Sequence, residues 1–313
     1  NINILNFRYI INTLIISNKQ WYKKKMRSKF NLILNHFWKL HKNKLKKNLA
    51  LKNLYNDKSC VIFGNGGSIK YFDIKRHEGF FYMATTYAML HKEINNLKPD
   101  FYVVPQKYDF YPFLYINNSV QKYWSINYRR KIYQTIMKKG KKTRFFINLS
   151  NYYGFFYRPK LLNFFYSFND YKSNDDNFDY DLTNNFNCTA GSLEIMIGIS
   201  KYLGFKRVIL IGCDYLGTPK LEGHFYSNKD PWIGKPIYQS YINRLKLLTK
   251  NIDVITIFPK GIISKEFKSF TYDEFFEQKK NTKIKHVKKN YEIIDNDDLN
   301  LLKITDKKIQ LAL

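Results

Sequence analysis

The feature that most constrains this chain is an alternation that begins at Ser59, where short apolar runs closed by turn residues are separated by stretches with helical spacing. Cys60-Val61-Ile62-Phe63 leads directly into Gly64-Asn65-Gly66-Gly67-Ser68, and comparable runs recur at residues 80–84, 101–104, 144–147, 208–211 and 254–258. A run that is apolar at every position has both faces covered, the habit of a strand inside a parallel sheet. Between residues 191 and 203, Leu193, Ile195, Met196, Ile199 and Leu203 fit a buried helix stopped by Gly204, and the next strand follows at once. This alternation predicts an α/β fold with a mainly parallel doubly wound sheet and ligands at the carboxyl ends of the strands. Residues 105–143 and 150–187, rich in Tyr, Phe and Asn, break the pattern and read as insertions or a small lid.

Three segments result: a basic helical extension over 1–58, an α/β domain over 59–265 expected to hold the ligand site, and a charged C-terminal segment over 266–313. The extension holds 14 Lys and Arg against Asp57 alone, nearly half of the net charge of +28. Its residues 1–25 precede Met26 and read as a fragment end or upstream read-through. From Phe30 to Leu51, apolar residues interleaved with lysines fit a basic amphipathic helix, which either lies against an anionic membrane or packs on the domain by one stripe. The run from Tyr9 to Ile16 is too short to span a bilayer.

Charge of this size draws phosphates, nucleic acid or anionic headgroups, although the abundance of Lys, Asn, Ile, Phe and Tyr is also what A/T-rich codons produce. Aromatics at 18% exclude a disordered chain. Cys60, Cys188 and Cys213 are odd in number and far apart, so neither a disulfide framework nor a zinc site is implied. The expected setting is cytoplasmic, with peripheral attachment at the inner membrane face.

The turn Gly64-Asn65-Gly66-Gly67-Ser68 follows a strand directly, so its amides are candidates to cradle a phosphate, with Asn65 adding a donor and an acceptor; a plain tight turn is the alternative. It has neither the Gly-Lys-Ser/Thr ending of a Walker loop nor the last glycine of the dinucleotide fingerprint. A second small-residue turn, Asn187-Cys188-Thr189-Ala190-Gly191-Ser192, opens the buried helix and either meets an anion or caps the helix. The strand at 208–211 ends in Gly212-Cys213-Asp214-Tyr215, which places Asp214 and Tyr215 at the carboxyl edge to orient a ligand hydroxyl or a histidine. In the following loop, His224 is the candidate general base and Tyr226 a candidate phosphate contact, each with simple packing as the alternative.

G-N-G-G-S after the first strand, T-A-G-S before a helix, L-G-F-K-R-V-I-L-I-G-C-D-Y and a following loop histidine together resemble the bacterial sialyltransferases of glycosyltransferase family 42, over residues 59 to 260. The resemblance implies one Rossmann-like domain with a small lid and a CMP-sugar donor used without metal or other cofactor. It also implies inversion at the anomeric centre, a histidine base, and a glycan (lipopolysaccharide is one) or lipid-linked molecule as acceptor. By motif position, Asn65 and Ser68 match the first-loop contacts, Thr189, Ala190 and Gly191 the second-loop contacts, and His224 the base. The family's further asparagines correspond here to Thr85 or Thr86 and to the region of Pro105, its arginine before the second loop to Asn187, and one of its paired tyrosines to Leu216, with Tyr226 a candidate for the other. A homo-oligomer and no specific nucleic-acid partner are expected.

Two rival readings fit the same residues. A pterin-type pyrophosphokinase would need Mg²⁺ held by carboxylates, for which Asp214, Glu222 and Asp100 are available. A non-catalytic nucleic-acid-binding protein would use the charge but leave the glycine turns unexplained.

Overall fold

The computed structural model describes residues 43–106, 130, 131, 134, 142–155, 165–171, 180–187, 191–227, 231–235 and 239–277. The chain divides into two compact units, 1–44 and 45–313, and every element below belongs to the second. Six strands lie where the apolar runs predict them: β1 (Ser59–Phe63), β2 (Phe80–Thr85), β3 (Phe101–Val104), β4 (Arg144–Asn148), β7 (Arg207–Ile211) and β10 (Asp253–Ile257). With β5 (Phe165–Tyr171), β6 (Asn185–Asn187) and β11 (Lys268–Phe270) they form one sheet in the order β11-β10-β7-β1-β2-β3-β4-β5-β6. Every adjacent pair is parallel. A separate antiparallel ribbon joins β8 (Leu221–Glu222) to β9 (Trp232–Ile233).

Alternate residues of each central strand feed two cores. Val61, Phe63, Tyr82, Ala84, Ile209 and Ile211 lie on one face with Leu90, Phe225 and Tyr226, together with Ile94 and Leu97 of α1 (Lys92–Leu97). Cys60, Ile62, Met83, Val208 and Leu210 lie on the other face, under α2 (Gly191–Leu203) and α3 (Gln239–Leu248). Covering both faces is what a parallel sheet requires, because neither can be left to water. Helix α2 is buried almost all round: Gly198 leaves room for Phe186 and Tyr180, and Glu194 is satisfied by the Arg244 guanidinium of α3 at 2.6 Å. It ends as the sequence requires, at Gly204 with φ +90°.

The structure moves both expected domain boundaries. Leu45, Asn48, Leu51 and Tyr55 are buried, and the backbone amides of Asn53 and Tyr55 bond to the end of α2, so the domain begins near residue 45 rather than 59. At the other end, β11 joins the sheet and Tyr272 enters the core, so residues 266–277 are part of the fold rather than a peripheral tail. Residues 150–187 are likewise more than a lid, since β5 and β6 extend the sheet. Most of the basic stretch from Phe30 to Leu51, the insertion around 107–129, and the tail from 278 lie outside the described residues. Among the described residues, no helix is long and apolar enough to cross a membrane.

Candidate active site

The strand order fixes where a ligand crevice belongs. From β1 the chain winds outward through β2 to β6, then returns to place β7 on the other side of β1. At such a switch point the connections leave in opposite directions and open a crevice at the carboxyl ends of the two strands. The turns that meet there are Gly64 to Ser68 after β1 and Gly212 to Asp214 after β7.

They meet closely. The Gly64 amide donates to Ile211 O (2.8 Å), Gly66 to Gly212 O (2.8 Å), Gly67 to Gly223 O (3.1 Å) and Ser68 to Asp214 Oδ2 (2.8 Å). A Cβ on Gly64 would sit 2.3 Å from Gly212 O, and one on Gly66 2.5 Å from the Asp214 carboxylate. Gly212 itself needs its φ of +69°, and its Cα faces Ile69. The expectation that these glycine amides are held open for a phosphate is therefore corrected. Close approach of two strands' turns is what the glycines permit, and Gly64, Gly66, Gly67 and Ser68 spend their N–H groups inside the fold.

Asp214 is 3% exposed, and the Ser68 hydroxyl also donates to its carboxylate. Burial pushes its carboxyl up to about 6, against the opposing pull of the two Ser68 hydrogen bonds. Placed this way, Asp214 orders the first turn, both of its carboxylate oxygens accepting from the fully buried Ser68. Tyr215 turns to the opposite face, where it packs with the α2 and α3 core and its hydroxyl lies 3.3 Å from that of Tyr241.

Asn65 and His224 come together. Residues 223–225 pair antiparallel with the turn through a Gly66–His224 bridge, Phe225 N donating to Asn65 O at 3.0 Å. His224 Nδ1 lies 3.2 Å from the same carbonyl oxygen. A carbonyl can only accept, so Nδ1 carries the proton in this contact, and the neutral ring keeps its lone pair on Nε2. The imidazole stacks on Tyr226, centroids 4.9 Å apart and planes 16° apart, and Tyr226 meets Tyr87 edge to face at 5.3 Å.

The Asn65 amide nitrogen donates to Thr86 Oγ1 at 2.5 Å, while its Oδ1 is buried with no partner among the described residues. Thr86 has φ +44°, a genuine departure for a β-branched residue, and is held there by the Asn65 bond and by Tyr102, whose hydroxyl donates to its carbonyl. Thr85 is buried and bonds Val103 O within the sheet, so of the two threonines only Thr86 reaches the turn. Sequence reasoning missed Tyr87 and Lys70; the latter is buried in the short helix after the turn, its ammonium 2.6 Å from Ser227 O. The signal for Lys70 was its place in the G-S-I-K run.

Gly191 opens α2 with φ +77° and nothing within 4 Å of its Cβ position, and Ser192 follows half-buried. Cys188, Thr189 and Ala190 lie outside the described residues. The three carboxylates considered for magnesium are not brought together. Asp214 is bonded to Ser68, Glu222 to Lys220 at 2.9 Å, and Asp100 lies at the amino end of β3, bonded to Arg76 at 3.0 Å. Among the described residues no group of three or more His, Cys, Asp or Glu side chains could hold a metal.

Comparison with protein-family models and with curated proteins returns no match. Among solved structures, the chain is similar to the sialyltransferase CstII from Campylobacter jejuni, determined in complex with the substrate analogue cytidine-5'-monophosphate. The superposition has a TM-score of 0.40 and 15% sequence identity, covering 80% of this chain and 98% of that one.

Proposed function

We propose that this protein is a sialyltransferase-like glycosyltransferase, moving a sugar from a CMP-sugar to a hydroxyl of a glycan or lipid-linked acceptor, without a metal and with inversion. The observation that carries the reading is His224: its Nδ1 proton is committed to Asn65 O and its ring plane is set by Tyr226, so Nε2 is the basic atom at the switch-point crevice. In the proposed reaction the acceptor oxygen bonds to the anomeric carbon as the bond from that carbon to the CMP phosphate oxygen breaks. The acceptor proton passes to Nε2.

Asn65, with its unmatched Oδ1, offers an acceptor to the nucleotide part of the donor. Thr86, together with Gly191 and Ser192 at the start of α2 and with Thr189 and Ala190, which precede them in sequence, supplies the remaining nucleotide contacts, and the Tyr226 hydroxyl assists the departing phosphate. Asp214 and Ser68 act at one remove, as positioning residues for Asn65. The basic N-terminal region supplies peripheral contact with anionic membrane.

The test pairs binding with turnover. CMP at about 100 times its dissociation constant should stabilise the wild type by roughly 2.7 kcal/mol without Mg²⁺. His224→Ala should keep that stabilisation while transfer from CMP-sugars falls by about 10²- to 10⁴-fold. A fully active His224→Ala enzyme, or a response confined to ATP with Mg²⁺, would overturn the reading.

A further inference from the structure

The β8–β9 ribbon carries a tryptophan that the reaction above does not use. Trp232 lies directly across the ribbon from Glu222 and is 43% exposed, with Ile233 beside it 71% exposed. Lys220 holds the Glu222 carboxylate at 2.9 Å, and that bond is the main cause of the carboxyl's lowered pKa, the cross-strand Trp232 indole adding a smaller push in the same direction. Glu222 in turn lies against Gly234, where a Cβ would come within 2.3 Å of its carboxylate.

The ribbon is seated on glycines beside the base. A Cβ on Gly67 would meet Pro231 at 2.4 Å, and one on Gly223, the residue before His224, would meet the Trp232 ring at 3.1 Å. Gly223 is also at φ +108°, a backbone reserved for glycine. Trp232 is thus held by its place in the ribbon opposite Glu222, set against the backbone that delivers His224, and still open to solvent over much of its surface.

We infer that Trp232 is the stacking platform for the acceptor sugar, with Glu222 and Lys220 at its edge engaging sugar hydroxyls. The inference rests on the glycosyltransferase reading and names the acceptor subsite within it. A tryptophan placed only to fill space is covered, whereas one that is immobilised and left open presents a flat apolar surface. The C–H face of a pyranose matches that surface. An acceptor-only carboxylate and a donor-only ammonium beside it can bond hydroxyls of either polarity. Adjacency to His224 places the subsite on the side where a hydroxyl loses its proton.

The experiment titrates the full chain with lactose and N-acetyllactosamine, with and without saturating CMP, following tryptophan emission. Wild type should respond saturably. Trp232→Ala should bind these sugars at least 10-fold more weakly and Trp232→Phe should fall between the two, both keeping the wild-type melting temperature and the CMP-induced stabilisation. No saturable sugar response in the wild type, or equal sugar affinity in Trp232→Ala, overturns the inference. So does loss of CMP stabilisation in that variant, which would give the ring to the nucleotide. Failure of the glycosyltransferase reading shows itself separately, as a wild type that neither responds to CMP nor transfers.

Discussion

The two ends of the central strands handle charge in opposite ways. At the amino end, Arg207, Asp253 and Lys268 open β7, β10 and β11 and pair with one another at 2.7 and 3.5 Å, while Lys206 pairs with Asp57 at 3.4 Å, all at least partly in water. At the carboxyl end, among the described residues, a carboxylate is buried with no cation among its hydrogen-bond partners, a threonine is held at positive φ, and an amide oxygen has no partner. A fold accumulates such costs where function requires them, because a site tuned only for stability would have shed them. The amino end holds the sheet, and the carboxyl end carries the residues of the proposed chemistry.

That contrast can be broken most severely at Gly64. Its missing Cβ would lie 2.3 Å from Gly212 O and 2.9 Å from the carbonyl carbon, backbone atoms that cannot swing aside. Gly64→Ala should therefore cost on the order of 3 kcal/mol in denaturant unfolding and separate the two turns.

A sharper test uses pH, because two buried groups pull in opposite directions. Asp214 titrates near 6 when folded against an ordinary 3.8, so the folded protein holds a proton that the unfolded chain has lost. Its contribution to stability falls as pH rises from about 4 to 6 and stays lost above. His91, buried against Phe225, is pushed down by desolvation to about 4 from 6.5, so its contribution is lost as pH falls through the same window and is complete above about 6.5. Each amounts to roughly 3 kcal/mol, and in the wild type they nearly cancel. Asp214→Asn should expose a stability that rises with pH between 4 and 6.5, and His91→Leu one that falls. Unfolding profiles parallel to wild type in both variants would remove the claim that these groups are buried as described.

The smallest effect belongs to the amino end. Arg207→Ala removes a partly exposed pair with Asp253 and should cost less than about 1 kcal/mol, diminishing further in 1 M salt.

The sequence announced the central strands because each is apolar on both faces; Val61, Ile62, Val208 and Ile209 leave no other reading. Strand β5 escaped because Ser167, Asn169 and Asp170 interrupt its apolar residues, and β6 and β11 because three residues show no period. The glycine turn and His224 were legible as a constellation. The fate of the turn's amides was not, since whether an N–H is free depends on Gly212 and Gly223, some 150 residues away. Trp232 carries no such signal, because its seating depends on Gly67 and Gly223 being bare.

The return of β7 to the side of β1 also sets a timetable. About 140 residues separate the end of β1 from its neighbour on that side, so during synthesis at roughly 5 to 20 residues per second one edge of β1 stays open for many seconds. Until the ribosome has passed Ile211, that apolar edge is a template for any other strand. Nascent chains stalled between β6 and β7 should therefore be the most aggregation-prone, and those stalled beyond β10 far less so.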